Sequence, residues 1–210
     1  MTNSEQHKFD YDVLVIGAGP GGYVAAIRAA QLGLKTACVD KNDTLGGTCL
    51  NVACIPSKFL LNASEHYDQL ISGNLEKFGI QGATASLNFG AMMAEKTATV
   101  GELTTGIAHL FKKNKIARIT GQASFVKPHQ VKVGSQMVSA QSIVIATGSS
   151  PMTLANITLN GETVVDSTGA LSFEQIPKHL VVVGGGVIGL ELSSVWKRLG
   201  AKVTIIEFSD

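Results

Sequence analysis

Short unbroken apolar runs alternate along the chain with longer stretches in which apolar residues recur every three or four positions. The first run, Tyr11 to Ile16 (YDVLVI), has the length and β-branched character of a buried strand. The turn GAGPGG separates it from a stretch of helical period, YVAAIRAAQL, which stops at Gly33. A glycine just past the last turn is a common helix end. The next run, TACVD, reads as a strand ending in Asp40. The same order returns from Leu180: an apolar strand, the turn GGGVIG, a helical stretch stopping at Gly200, and a strand ending in Glu207.

Between these two copies the pattern changes. Lys58 to Asn74 reads as a helix ending near Gly73, and Asn88 to Lys113 as a longer one with Leu103, Ile107, Leu110 and Phe111 at helical spacing. Gly90 and the segment around Thr97 weaken its N-terminal end, and Met92–Met93 reads as core filling. Ala117 to Gln141 alternates, with turn signals at Lys127–Pro128 and Gly134–Ser135, so short antiparallel strands are expected. Ser142 to Ala146 reads as a separate buried strand ending in TGSSP, and the Pro151 region as a domain seam. The expected fold class is therefore α/β. A doubly wound, Rossmann-like domain occupies residues 1–150, and 151–210 form the start of a second one.

Composition narrows the partners. With 17 Lys+Arg against 16 Asp+Glu, the net charge of +1 gives no reason to expect nucleic acid or a membrane surface. Few charges (16%) and 23 glycines suit a buried parallel sheet with tight turns. No apolar run is long enough to span a bilayer, and the polar N-terminus MTNSEQHKFD resembles neither a signal nor a transit peptide. Three cysteines are too few for a disulfide-stapled secreted fold, so a cytoplasmic location is expected.

The two glycine turns carry one chemistry. Gly17, Gly19 and Gly22 match Gly184, Gly186 and Gly189; 23 residues separate the first glycine from Asp40 or Glu207, and 16 separate it from Gly33 or Gly200. One such fingerprint is weak, since an ordinary strand–helix turn also uses glycine. Two in matching register are strong. The first glycine makes the turn, the second admits a pyrophosphate to the backbone, and the third lets helix and strand pack. The helix N-terminus offers free N–H groups to phosphate, and the acid takes a ribose hydroxyl. Pro20 suits the first helical turn. Each unit is thus expected to bind one dinucleotide.

The segment GGTCLNVACIPSK holds Cys49 and Cys54. Zinc would need four ligands, but only Cys38 remains and the five histidines (His7, His66, His109, His129, His179) show no paired spacing. No metal is expected. A structural staple over so short a loop would stabilise little. A redox pair fits best. Residues five apart on a regular helix are too distant for a disulfide, so an irregular helix start is expected between them.

GGTCLNVACIPSK resembles the redox signature of the pyridine nucleotide–disulfide oxidoreductases, and the likeness runs from about Tyr11 to the last residue. Leu50, Ile55 and Ser57, with AHLFKKNK (108–115) and DSTGALSF (166–173), favour the branch acting on lipoyl groups over the glutathione and mercury reductases. The resemblance implies FAD held by Gly17, Gly19, Gly22, Asp40, Lys41, Gly47, Thr48, Gly121 and the turn Thr147–Gly148–Ser149. Cys49 is implied as the cysteine that exchanges with substrate and Cys54 as the one beside the flavin. Lys58 is implied near the flavin, pairing with Glu191. NAD is implied at Gly184, Gly186, Gly189, Glu191 and Glu207. No arginine follows Glu207 in Phe208, Ser209 or Asp210, which favours NAD over NADP. The implied partner is the lipoyl group on the acyltransferase of a 2-oxo acid dehydrogenase complex, and the implied assembly a homodimer. Two features depart from the family. Ala53 stands where glycine is usual, a costly change if that position needs positive φ. The family's dimerisation domain, with its catalytic histidine and supporting glutamate, has no counterpart among these 210 residues. A catalytically incomplete nucleotide-binding fragment is therefore the alternative expectation.

Overall fold

In the computed structural model, which describes residues 9–81, 85–152 and 154–208, β1 (Tyr11–Ile16) lies between two parallel partners, β2 (Thr36–Asp40) and β6 (Gln136–Ile145). His7, Ser209 and Asp210 lie outside the described residues. Neighbouring residues Leu14 and Val15 are both fully buried because successive side chains leave opposite faces of a strand. Leu14 joins Ala37, Val39, Val131 and Val138 on one face; Val15 joins Ala26, Cys38, Leu45 and Phe111 on the other. This two-sided burial explains the unbroken apolar run.

The full order of this sheet is β3-β2-β1-β6-β5-β4. Two expectations are corrected here. β3 (Ala117–Thr120) pairs parallel with β2, so only β4 (Ala123–Lys127), β5 (Gln130–Val133) and the start of β6 form the antiparallel meander. Ser142 to Ala146 is not a separate strand either. One ten-residue β6 pairs antiparallel with β5 through Ser139 and parallel with β1 from Ala140 onward. Alternation alone does not reveal which neighbour a strand will meet.

The described residues fall into two compact units. The first lies within Met1–Asn51 and Gly101–Ser150, the second within Val52–Val100 and Pro151–Asp210. The units divide at Ser150–Pro151, and 52–100 cluster with 151–210. The reason is apolar packing. Leu60 of α3 (Cys54–Ile71) shares a core with Leu192, Val195, Trp196 and Leu199 of α6 (Val187–Arg198) and with Ala170 and Leu171 at the end of α5 (Ser167–Ala170). Trp196 is fully buried, with Phe173 at 5.2 Å and Phe89 at 6.0 Å between ring centroids. β7 (His179–Val183) and β8 (Lys202–Ile206) form a two-stranded parallel sheet on which Val181, Val183, Ile205 and Ile206 are exposed.

The long helix α4 (Phe89–Lys113) runs unbroken through Gly90 and Thr97. Asn88 Oδ1 accepts the Ala91 N–H at 3.0 Å and starts it, and Thr97 Oγ1 donates to Met93 O instead of disrupting it. Of its expected apolar face only Phe111 is fully buried; Leu103 and Leu110 are exposed. Among the described residues no helix is long and apolar enough to cross a membrane.

Leu14→Ala should lower the unfolding free energy of the first unit by about 2–5 kcal/mol, the usual range for a buried leucine. Denaturant titration followed by far-UV circular dichroism measures it, and an unchanged midpoint would contradict the placement of β1 at the centre of the sheet.

Candidate functional site

The first candidate cradle forms where β1, β2, β3 and β6 end, at the carboxyl edge of four adjacent parallel strands. This is the edge at which open α/β sheets bind ligands. Gly17 follows β1 with φ 103° and donates its N–H to Val39 O at 2.7 Å. A Cβ there would also sit 2.1 Å from Ala146 O, so no side chain fits. α1 (Pro20–Gln31) begins after Gly19 without a side-chain cap or an acid in its first turn. Its leading N–H groups are thus free for an anion. A Cβ on Gly22 would lie 1.7 Å from Gly17 O, which shows how closely helix and turn approach. Gly19 is the open position: a Cβ would meet only Gly47 Cα, at 3.8 Å.

The polar rim is built around Asp40. Its Oδ2 accepts the Ala18 N–H at 2.7 Å and its Oδ1 the Asn42 N–H at 2.8 Å. Each oxygen keeps a lone pair for a further donor. Gly121 donates its N–H to Asp40 O at 2.8 Å, and Thr147, Gly148 and Ser149 follow β6 exposed at the same edge. Lys41, which follows Asp40, and Thr48, which follows Gly47, are exposed. The geometry fits a dinucleotide: an uncapped helix start, a side-chain-free turn and a carboxylate at a strand end.

The second unit repeats the two hydrogen bonds that hold the turn. Gly184 has φ 107° and donates to Ile206 O at 2.8 Å; the Gly185 N–H donates to Glu207 Oε2 at 2.5 Å, as Ala18 does to Asp40. α6 also starts uncapped after an extended glycine, Gly186, and a Cβ on Gly189 would lie 2.2 Å from Gly184 O. Glu207 itself lies just past the end of β8, not within it.

Between Cys49 and Cys54 the helix breaks as expected. α2 (Gly47–Val52) stops, Ala53 takes φ −141°, and α3 starts at Cys54, four residues before the predicted start. Since that φ is negative, alanine in place of the family's glycine carries no left-handed penalty here. Cys49 and Cys54 are disulfide-bonded, while Cys38 is free and buried. Burial, then the neighbouring Asp40 charge, pushes the Cys38 thiol up to about 12. It is a small core residue. Gly47 opens α2 against the first cradle, where a Cβ would come within 2.6 Å of Gly19 Cα. Asn51, which the sequence reading passed over, ties this helix down: its amide donates to Leu45 O at 3.0 Å and Gly47 O at 2.9 Å. A polar amide between the apolar Leu50 and Val52 was the available signal.

One turn past Cys54, the Lys58 ammonium donates to the Glu191 carboxylate, an ion pair between α3 and α6. Lys58 is largely exposed and Glu191 about a quarter exposed. Neither residue looks unusual in sequence, and only the packing of α3 on α6 brings them together.

Comparison with known proteins agrees with this geometry. The sequence pattern described as "Pyridine nucleotide-disulphide oxidoreductase" matches residues 11–210. The chain is 52% identical over 204 residues to the mitochondrial dihydrolipoyl dehydrogenase of Homo sapiens, covering 95% of this chain and 40% of that protein. It is 51% identical over 203 residues to the Sus scrofa counterpart, covering 94% and 40%. Among solved structures, the HOCl-induced flavoprotein disulfide reductase RclA from Escherichia coli superposes with a TM-score of 0.79 at 29% identity, over 93% of this chain and 41% of that one. The chain thus spans about 40% of the length of these relatives. The cytoplasmic expectation is overturned, because relatives at 52% identity are mitochondrial proteins. Cysteine content reports a reducing environment, and the cytosol is not the only one. By the match over residues 11–210, the chain belongs to the pyridine nucleotide-disulphide oxidoreductase family.

Proposed function

We propose that this chain carries the two dinucleotide sites and the redox disulfide of a dihydrolipoyl dehydrogenase, with FAD at the first cradle and NAD at the second. The observation that carries the reading is local. The helix bearing Cys49 starts at Gly47, packed against Gly19 of the first cradle. A disulfide is thereby built onto a dinucleotide site. The 52% identity to mitochondrial dihydrolipoyl dehydrogenase supports the lipoyl dithiol as substrate over glutathione or mercury.

The chain's residues have these roles in the reading. One sulfur of the substrate dithiol attacks Cys49 Sγ, forming a mixed disulfide and releasing Cys54 Sγ as thiolate. The second substrate sulfur then attacks the first, closing the substrate's own disulfide and freeing Cys49. Two electrons have now moved from substrate to the cysteine pair, and the two substrate thiol protons have been released. Cys54 is the first residue of α3, whose N-terminus favours a negative sulfur, and Lys58 adds a positive charge one turn on. FAD, held by the first cradle, would supply a two-electron acceptor for the reduced cysteine pair, and NAD, held by the second, would supply the hydride acceptor.

In the first unit, Gly17, Gly19 and Gly22 hold the FAD pyrophosphate and Asp40 its ribose. Lys41, Gly47, Thr48, Gly121 and Thr147 to Ser149 line the rest. Gly184, Gly186 and Gly189 hold NAD, with Glu191 alongside. Glu207 accepts the adenosine ribose hydroxyls and repels a 2′-phosphate, favouring NAD over NADP. The proposed partner is the lipoyl group on the acyltransferase of a 2-oxo acid dehydrogenase complex, and the proposed assembly a homodimer, as the likeness to dihydrolipoyl dehydrogenase implies.

Two outcomes are expected. Purified protein retains FAD and is yellow, whereas Gly19→Val, which places an isopropyl group where the pyrophosphate approaches, is colourless with unchanged far-UV circular dichroism. Equal flavin content in both would contradict the assignment of the first cradle. Secondly, after reduction by a dithiol at pH 8, iodoacetamide labels Cys49 and Cys54 within minutes but spares Cys38 until the protein is denatured. Mass spectrometry of the peptides reads this. Labelling of Cys38 in the native protein at a similar rate would contradict the division into a redox pair and a core thiol.

A further inference from the structure

One buried charge is left unused by this scheme. Lys96, on α4, is only 8% exposed, and among the described residues no carboxylate pairs with it. Lysine is almost never buried without a partner, because losing the hydration of an ammonium is costly. Burial accordingly pulls its titration below the ordinary lysine range. Its one hydrogen bond runs from Nζ to Leu171 O, at 2.5 Å. Leu171 is the C-cap of α5, where the last carbonyls of a helix lack partners and a cation is favoured. At the other end of α5, Asp166 Oδ1 accepts the Gly169 N–H at 3.0 Å. This single turn is therefore fixed at both ends, by a carboxylate at its start and an ammonium at its finish.

What the turn supports explains why it is held. Ala170 and Leu171 pack in one core with Leu192 and Val195 of α6 and Leu60 of α3. Leu192 directly follows Glu191, and Leu60 lies two positions after Lys58. The α3–α6 contact that brings Lys58 to Glu191 rests on that core. We propose that Lys96 is a positioning residue for the redox site: by anchoring the α5 turn under α6 through the Leu171 carbonyl, it sets the Lys58–Glu191 ion pair. The proposed role of that pair beside Cys54 belongs to the dihydrolipoyl dehydrogenase reading, but the positional claim can be tested without cofactor.

The experiment is competitive acetylation of the 210-residue protein, with Lys58 modification read by mass spectrometry and folding by thermal melting. An exposed ammonium held by a carboxylate acetylates more slowly than a free one. Lys96→Met should raise the Lys58 rate by about two- to fivefold, the factor corresponding to an exposed ion pair, and Lys96→Arg should restore it. Glu191→Gln should give the same rise, and adding Lys96→Met to it should give no more, since both act on one pair. Lysines away from the site, such as Lys35 and Lys127, should keep their rates, which a merely loosened fold would not produce. If Lys96→Met does not fold, Asp166→Ala loosens the same turn from its other end and is judged by the same readout. A folded Lys96→Met, or failing that a folded Asp166→Ala, with the Lys58 rate of the parent protein would overturn the proposal. Absence of FAD from the parent protein would instead count against the proposed function and leave this test intact.

Discussion

The arrangement depends on how closely a helix start can approach the strand that precedes it. At Gly22 and Gly189 the space left for a Cβ is negative: the atom would fall 1.7 Å and 2.2 Å from the carbonyl oxygens of Gly17 and Gly184. Any side chain there would push the helix off its turn. The leading N–H groups would then no longer converge at the proposed phosphate position. In both units the strand-end carboxylate takes the N–H of the residue after the first glycine, so the turn is held from the neighbouring strand as well. The edge proposed to bind phosphate is thus shaped by packing and by one charged hydrogen bond.

The redox segment extends that edge. Gly47 brings α2 against Gly19, Asn51 fastens the helix to Leu45 and Gly47, and the break at Ala53 lets Cys54 open a new helix whose start favours a thiolate. Beyond the break, the apolar contact of α3 with α6 does what no local motif could. It joins a lysine and a glutamate 133 residues apart in sequence. Lys96 belongs to this second layer, a buried cation used to place a short turn beneath α6.

What was legible in sequence followed local rules. Gly17 to Asp40 and Gly184 to Glu207 announce strand, turn, helix and acid because each step depends on residues only a few positions apart, and β1, β2 and the ends of α1 and α6 fall where their patterns placed them. The Ala53 break was readable because two cysteines five apart cannot bond on a regular helix. What was not legible was pairing between distant segments. The alternation in Ala117 to Gln141 identified strands, but not that β3 would join β2 in parallel or that β6 would serve two neighbours. For the same reason nothing local in sequence shows that 52–100 cluster with 151–210, or that Lys96 is buried. Lys58 and Glu191 were named only through a family likeness, since nothing local marks either one.

The central claim is that the disulfide and the first dinucleotide site work as one redox unit. Anaerobic titration of the flavin-bound protein with dihydrolipoamide tests it most directly, following free thiols and flavin absorbance together. The account predicts that the flavin spectrum changes in step with the opening of the Cys49–Cys54 bond, and that both responses vanish in Cys49→Ser. Two new thiols per chain with an unaltered flavin spectrum would contradict it.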